Sequence, residues 1–337
     1  MKALNEMRQL IASRTRHLET IAGLPAQLAW ARDVEVTAPP LAAPEVLVCG
    51  MGGSGIAGDV AAVAAGRRVT VHRAYGLPEW AATVRPLVAV VSYSGRTEES
   101  LDAFAAAVDL GLDVVTVTAS GPIADEVAHL TVPDGLQPRG AFGYLGGGLL
   151  RLLAAAGAAD DPRRGLDEAA TVAADLLGDD LDGPGARLAA DLAEALVDRF
   201  PLVYGARGLT AVAAYRWKCQ LNEKAKAPAA TSVLPEADHN ELAGWRGAPA
   251  EARCAIVALR DRDEHPRTAV RFDLTRELTP TPTVGEVWSQ GDHLLARLYS
   301  LTAVGDVVSL LVAERDGIDP VEIDVLIELK HRLEQHR

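Results

Sequence analysis

Two short segments of the sequence have the residue types and spacing of an anion-binding site. The first, VLVCGMGGSGIAGDV (46–60), contains Gly50, Gly52 and Gly55 in the order G-x-G-x-x-G. A glycine-rich turn between a strand and a helix lets an anion approach backbone N–H groups at the positive end of the helix. The segment therefore predicts a phosphate site, and its glycine spacing is that of a dinucleotide-binding turn.

A dinucleotide site requires one further feature, an acidic residue about 20 residues later that binds the ribose hydroxyls. The second predicted strand ends in His72 and Arg73 instead. Because an arginine at this place suits a 2′-phosphate, the glycine pattern leaves an NADP-dependent oxidoreductase open as one alternative.

The second segment, SYSGRTEES (92–100), follows the third predicted strand and opens a helix. Its hydroxyl residues Ser92, Ser94 and Thr97 make a second anion cradle, although an ordinary N-cap by Ser94 or Thr97 explains the same pattern. Two such loops at the ends of strands in one sheet favour a shared site. With Ser54 from the glycine loop, these hydroxyls surround one compact phosphate monoester.

The elements that position these loops follow from the alternation of short apolar strands and Ala-rich helices, which indicates a parallel sheet covered on both faces. The alternation occurs twice, so we predict an α/β chain with two doubly wound parallel-sheet subdomains. The predicted division is an N-terminal helix (1–34), a first subdomain (35–155), a helical linker (156–185), a second subdomain (186–315) and a C-terminal helix (316–337).

Three further predictions concern single segments near the C-terminus. Residues 283–290 resemble a loop after a strand, and residues 293–317 predict one long helix or a pair of helices. In the terminal segment Asp319 predicts the N-cap of the last helix, with Pro320 at its first position.

Composition and charge exclude several classes of protein. The 337 residues carry a net charge of -13, which argues against nucleic acid as a partner because binding it needs a basic surface. The three cysteines, Cys49, Cys219 and Cys254, form no C-x-x-C pair and fit a reducing compartment. We find no metal-ligand spacing, no secretory signal and no apolar run of the roughly 18 residues that a membrane span needs. The expected location is the cytoplasm.

The two cradle segments together resemble the sugar isomerase (SIS) domain, which binds phosphosugars. Further segments narrow the resemblance over nearly the whole chain, in the same order, to the bifunctional phosphoglucose/phosphomannose isomerase family. They are PRGAFGY (138–144), QLNEKAKAPA (220–229), LPEADHNELAGW (234–245) and IELK (327–330). The resemblance implies a metal-free, cofactor-free aldose–ketose isomerase of hexose 6-phosphates in glycolysis or gluconeogenesis.

The resemblance also assigns roles to individual residues. It implies that Glu223 shuttles the proton, that Arg139 stabilises the negative intermediate, and that Lys330 acts at the ring oxygen or hydroxyls. His239 assists ring opening and is supplied by the other subunit of a homodimer. The phosphate is held by the cradle residues Gly53, Ser54, Ser92, Ser94 and Thr97.

The sequence departs from the family pattern in two places, and a second function stays open beside the enzyme. Arg96 stands where family members often have Asn, and Leu310 or a neighbour replaces a common Tyr. The alternative function is a non-catalytic, regulatory phosphosugar-binding protein. The presence of both Glu223 and His239 favours the isomerase. The second glycine loop, YGARGLT (204–210), is interpreted as a degenerate repeat.

Overall fold

Two parallel β-sheets organise the residues that the computed structural model describes, which are 14–38, 45–124, 127–247 and 253–336. The first sheet consists of β1 (Val46–Cys49), β2 (Val69–His72), β3 (Leu87–Val91), β4 (Val114–Thr118) and β5 (Ala128–Thr131). The strands lie in the order β2-β1-β3-β4-β5, and every neighbouring pair is parallel. The predicted α/β class with parallel sheets is confirmed.

One helix precedes the first strand and the others follow strands of this sheet, since parallel strands need crossover connections. They are α1 (Leu24–Asp33), α2 (Gly52–Ala64), α3 (Ala81–Val84), α4 (Glu98–Asp109) and α5 (Phe142–Ala155). All of β1 and β3 is buried, which is why both strands are continuous aliphatic runs.

The second sheet repeats this plan with four strands. They are β6 (Phe200–Ala206), β7 (Ala230–Leu234), β8 (Cys254–Arg260) and β9 (Thr283–Trp288), in the order β7-β6-β8-β9. The accompanying helices are α6 (Arg163–Leu177), α7 (Pro184–Ala195), α8 (Leu209–Lys224), α9 (Glu241–Arg246), α10 (Pro266–Leu278), α11 (Leu294–Arg315) and α12 (Asp324–Gln335).

The strand order places both cradle segments at one point. The chain leaves β1 for β2 on one side, whereas β3 lies on the other side of β1. Ligands of open α/β sheets bind at such a switch point, beyond the carboxyl ends of the two diverging strands. The turn after β1 and the turn after β3 therefore face the same crevice.

Three local interpretations differ from the structure. The N-terminal segment is helical at 14–22 and again in α1, since Gly23 and Pro25 separate two helices where one was predicted; residues 1–13 of that prediction lie outside the described ranges. Residues 283–288 form β9 and are not a loop. Asp319 caps no helix: its carboxylate accepts bonds from the backbone N–H of Val321 and Glu322, and α12 begins only at Asp324.

The longest of the described helices, α11, forms the core between the two sheets. It is long and apolar enough to cross a membrane, but 94% of its most apolar window is buried inside the protein. It packs on α6, α7 and α8, and Trp217 of α8 donates a hydrogen bond to the carbonyl of Leu301 at 2.8 Å. A side chain at Gly305 would collide with the Trp217 indole, so this glycine permits the close helix contact.

The buried N-terminal residue His17 makes stability depend on pH. Burial, with the nearby cations Lys224, Arg216 and Lys226, lowers the pKa of His17 to about 3. The unfolded chain binds a proton at His17 below pH 6.5, whereas the folded chain binds it only near pH 3. We therefore expect this histidine to reduce the free energy of unfolding by about 1.4 kcal/mol for each pH unit below 6.5.

The measurement is urea unfolding of the wild type and His17→Gln between pH 7.5 and pH 5. The glutamine does not titrate, so the variant should lose stability less steeply as the pH falls. His129→Gln is the control because His129 is exposed on β5. An equal slope for His17→Gln and the wild type would contradict the prediction.

Candidate active site

The glycine turn after β1 and the hydroxyl turn after β3 are joined by a hydrogen bond. The Ser54 hydroxyl, in the first turn of α2, accepts from the backbone N–H of Tyr93 at 3.2 Å. Gly52 has φ +52°, a backbone conformation that L side chains rarely adopt. Both α2 and α4 point their N-termini, and hence their unpaired N–H groups, to this crevice.

The hydroxyls of the second turn bond within the turn rather than to the first residues of α4. Thr97 occupies the N-cap position of α4 but makes no side-chain capping bond within the described chain. Its hydroxyl instead accepts a bond from the Ser92 hydroxyl at 3.2 Å. Ser94 does not cap α4 either, since its hydroxyl accepts at 3.3 Å from the backbone N–H of Arg96, which precedes the helix. Arg96 itself is exposed.

The segment that carries Arg139 packs directly on the glycine turn. A Cβ on Gly53 would lie 2.7 Å from the carbonyl oxygen of Pro138 and 3.0 Å from the backbone nitrogen of Arg139. A Cβ on Gly52 would lie 3.7 Å from an Arg139 guanidinium nitrogen. Gly53 thus allows the close approach of the Pro138–Arg139 backbone to the glycine turn, and the Arg139 guanidinium lies next to Gly52.

Arg139 and Glu223 form an ion pair beside this cradle, so the structure brings together two of the predicted site residues. The Arg139 Nε donates to Oε2 of Glu223, and only 13% and 18% of the two side chains are exposed. Burial by itself would lower the pKa of Arg139, but the charge of Glu223 raises it above its ordinary value. The guanidinium is therefore a fixed positive charge at the site.

Lys224 is a third charged group at this place, and sequence reasoning did not identify it. Its ammonium lies 3.6 Å from the second oxygen of Glu223 and donates to the side-chain carbonyl of Gln137. Burial lowers the pKa of Lys224 to about 8. The signal was the adjacent charge in QLNEKAK, but the sequence pattern did not distinguish a buried lysine from a solvated one.

Several hydrogen bonds hold the Arg139 segment in place. Gln27 of α1 donates to the carbonyl of Gly140 at 2.8 Å and accepts from the N–H of Gly143 at 2.9 Å. The Tyr93 hydroxyl donates to the carbonyl of Pro133 and accepts from the N–H of Leu136, both at 3.0 Å. Arg139 therefore lies in a segment that these hydrogen bonds hold in place, although this segment is a connection after β5.

A cavity of about 450 Å³ borders the charged cluster on the side of Lys224. Its lining includes His17, Gln27, Gln137 and Lys224 but none of the serines or the threonine of the cradle. The cavity is consequently distinct from the predicted phosphate site.

His239 and Lys330 do not join this cluster within one chain. Both side chains are exposed, and neither bonds to Glu223 in the described part of the chain. Lys330 lies on α12, none of whose residues is buried.

The loop that carries His239 is nevertheless firmly attached to the second sheet. Asp238 accepts from Arg271 at 3.0 Å and from Thr275 at 2.9 Å. The two oxygens of Glu241 accept from Tyr204 and Ser232. These acidic neighbours of His239 thus fasten the loop to the sheet, and the histidine is presented outward from a fixed support.

Arg73, on which the NADP alternative depends, is occupied by its own chain. Its guanidinium donates to the carboxylate of Asp59 and, at 3.0 Å, to the carbonyl of Gly55. It also lies 5.5 Å from the centre of the Tyr215 ring. Arg73 binds to the first two turns of α2. This contact explains the presence of an arginine at position 73 without a 2′-phosphate.

The corresponding place in the second sheet lies beyond the carboxyl ends of β6 and β8. Its side chains are bonded to neighbouring groups of the same chain. The Thr210 hydroxyl accepts from the N–H of Ala206 and donates to its carbonyl. Asp261, after β8, is paired with Arg297 and bonded to Ser289. Arg207 is exposed. Among the described residues, no group of three or more His, Cys, Asp or Glu is placed to hold a metal ion.

Comparison with known proteins gives consistent matches. Residues 186–333 match the family model described as bacterial phospho-glucose isomerase C-terminal SIS domain. The bifunctional phosphoglucose/phosphomannose isomerase of Caldicellulosiruptor bescii is 33% identical and covers 94% of this chain and 98% of its own. The enzyme of the same name from Aquifex aeolicus is 30% identical over 86% of this chain and 91% of its own.

A solved structure extends the match to the fold. The C-terminal domain of glucosamine-fructose-6-phosphate aminotransferase from Francisella tularensis superimposes with a TM-score of 0.67 at 14% identity. The match covers 91% of this chain and 98% of that one.

We expect Thr97→Val to weaken the binding of a sugar monophosphate about tenfold, because it removes one hydrogen bond to a charged group without changing side-chain size. Isothermal titration of wild type and variant measures the effect. Thr210→Val is the matched control, because the Thr210 hydroxyl is taken up by the Ala206 backbone. Equal affinities of Thr97→Val and the wild type would show that Thr97 does not contact the phosphate.

Proposed function

Because the chain belongs to the bifunctional phosphoglucose/phosphomannose isomerase family, we propose that it is an aldose–ketose isomerase that interconverts fructose 6-phosphate with glucose 6-phosphate, mannose 6-phosphate or both. The observation that carries the proposal is the buried Arg139–Glu223 pair beside the hydroxyl-lined cradle. The proposed setting is hexose phosphate metabolism, glycolysis or gluconeogenesis, in the cytoplasm.

The reaction needs a proton carrier more than a cofactor. From aldose to ketose, a base removes the proton at C2, an enediol(ate) forms, and the proton is delivered to C1 while the hydroxyl protons exchange. Hydrogen is relocated within one molecule, so no external oxidant or reductant enters the balance. We propose that Glu223 is this base and that no metal ion or nicotinamide takes part.

The cradle supplies the binding energy and the orientation. The N-termini of α2 and α4, with Ser54, Ser92, Ser94 and Thr97, hold the phosphate, and Gly53 lets the Arg139 segment approach. The phosphate thereby fixes the far end of the sugar, so that C1 and C2 lie at the Arg139–Glu223 pair.

During the proposed reaction, Arg139 changes its partner from Glu223 to the negative charge on the substrate. In the free protein Arg139 neutralises Glu223. When the substrate develops negative charge at O1 or O2, Arg139 stabilises that charge and leaves the carboxylate to carry the proton. Lys224 keeps a second positive charge 3.6 Å from the carboxylate.

Ring opening is assigned to His239 and Lys330, and we propose that a homodimer completes the site. His239 is exposed on a loop fastened by Asp238 and Glu241, which supports a rigid residue offered to a second copy. In the proposed dimer His239 of one subunit reaches the cluster around Glu223 of the other. Its imidazole then exchanges the proton of the ring oxygen, with Lys330 near the sugar hydroxyls.

The terminal helix α12 supports the same proposal. Val325, Leu329 and Leu333 follow one another at helical spacing, and 78%, 56% and 45% of their surfaces are exposed. An amphipathic helix of 12 residues gains most of its stability from burial of its apolar face. A second copy of the chain supplies that cover in the proposed homodimer.

The test of the function is a coupled assay with fructose 6-phosphate in the presence of EDTA, with glucose 6-phosphate and mannose 6-phosphate detected separately. We expect turnover of the wild type and a decrease in kcat of about 10²- to 10⁴-fold for Glu223→Gln, the usual contribution of a positioned base. Binding of fructose 6-phosphate to the variant, measured by titration, should change only a few-fold because the phosphate cradle is intact.

Glu194→Gln is the control, since Glu194 is an exposed carboxylate on α7. Binding without turnover of either product in the wild type would contradict the isomerase and favour a phosphosugar-binding protein without catalysis. An active Glu223→Gln variant would show that another residue is the base.

The shared site predicts complementation between two inactive variants. In a dimer of one Glu223→Gln chain and one His239→Ala chain, one site has lost both residues and the other has kept both. Mixing after unfolding and refolding should therefore restore about a quarter of the wild-type activity, because half of the randomly formed dimers are mixed and each holds one intact site. Activity of the mixture no higher than that of the separate variants would place His239 in its own subunit's site. Glu223→Gln mixed with Arg139→Ala is the matched control, because Arg139 and Glu223 belong to the same chain's part of the site and their mixed dimers contain no intact site.

A further inference from the structure

A second buried ion pair lies behind the first and is linked to it. Arg216 of α8 is 1% exposed, and its guanidinium donates to both oxygens of Asp306 of α11, at 3.1 and 2.6 Å. Gln220, one turn further along α8, donates to the same carboxylate at 2.9 Å. The guanidinium also lies 4.0 Å from the centre of the Phe142 ring.

The Arg216–Asp306 pair also makes one contact with the candidate active site. Nη2 of Arg216 donates to the backbone carbonyl of Arg139 at 3.1 Å. Buried ion pairs are weak sources of stability, because the cost of desolvating both charges offsets much of their attraction. An apolar pair would fill the same core, but it would make no bond to that carbonyl.

We propose that Arg216 is a positioning residue that holds Arg139 through its backbone, and that Asp306 and Gln220 orient Arg216 for this task. The inference rests on the proposed isomerisation, in which Arg139 stabilises the enediolate. It assigns the Arg216–Asp306 pair to the reaction as well as to the core.

The geometry gives the reason why such a support is needed. Helix α8 contacts residue 139 twice, at its side chain through Glu223 and at its carbonyl through Arg216. When Glu223 takes the proton from C2, it loses its charge and with it most of its attraction for Arg139. At that moment the bond from Arg216 still keeps the arginine against the developing negative charge.

The test uses Arg216→Lys, which keeps a positive charge but lacks the planar fork that binds Asp306 and the carbonyl together. We expect kcat to fall about tenfold or more with KM changed less than about threefold, because the loss is in stabilising the transition state. In an Arg139→Lys background the same change should have little further effect on kcat, since the two residues act as one unit.

A binding measurement makes the test independent of turnover. 5-Phosphoarabinonate carries a phosphate and a carboxylate that stands in for the enediolate. Arg216→Lys should lower its affinity about tenfold and leave the affinity for inorganic phosphate unchanged. Arg297→Lys is the matched control, because Arg297 is a similarly buried arginine that pairs with Asp261 in the second sheet; its kcat and both affinities should equal those of the wild type.

Two outcomes overturn the inference: equal affinity of Arg216→Lys and the wild type for 5-phosphoarabinonate, or additive effects of the Arg139 and Arg216 substitutions. A wild type that fails to turn over fructose 6-phosphate defeats the proposed function, and the affinity comparison then decides the inference by itself. If Arg216→Lys does not fold, Asp306→Asn is measured in the same way with the same expected decreases.

Discussion

The ion pair between Arg139 and Glu223 is the contact on which the arrangement of the site depends. Arg139 follows the first sheet, and Glu223 belongs to α8 of the second. Both side chains are largely buried, and a buried charge without its partner is strongly destabilising. The pair therefore requires the two sheets to keep one relative position. The same position brings the predicted phosphate cradle of the first sheet to the carboxylate of the second.

Helix α8 holds the two sheets in this position because it contacts both the core helix α11 and the Arg139 segment. Its buried face carries Trp217, which is bonded to α11, and Arg216, which is bonded both to α11 and to the Arg139 segment. Its C-terminal turn carries Glu223 and Lys224. One helix thus links the core, the arginine proposed to stabilise the anion, and the proposed base. Packing and chemistry constrain the same 16 residues.

The two sheets show how one topology supports different uses. Each sheet has a switch point, between β1 and β3 in the first and between β6 and β8 in the second. At the first, the Ser54 hydroxyl accepts from the backbone of Tyr93, and the Thr97 hydroxyl accepts from Ser92 without capping its helix. At the second, Thr210 is closed on its own backbone and Asp261 is paired with Arg297. Topology supplies the crevice, and the side chains at the strand ends decide whether a ligand can use it.

Sequence reasoning predicted the strands that are continuous apolar runs, and also the partly exposed β2, but it missed three other partly polar strands. Strands β1, β3 and β8 are such runs, whereas β5 and β7 were not predicted and β9 was interpreted as a loop. All three missed strands lie at or beside sheet edges and contain partly exposed polar residues. Because only part of each of these strands is buried, their residues do not form the continuous apolar run that marks a central strand.

The sequence by itself determined the class of fold and the family and predicted the phosphate-binding turns, because each depends on residues close together in the chain. Glycines and hydroxyls next to apolar strands carry that information locally. Only the tertiary structure decided that Lys224 is buried beside Glu223, that Arg73 closes on Asp59, and that Arg216 reaches the carbonyl of Arg139. The last two of these contacts join residues that lie 14 and 77 positions apart in the chain. Helix packing and burial select them, since a charged side chain has the same letter in solvent and in the core.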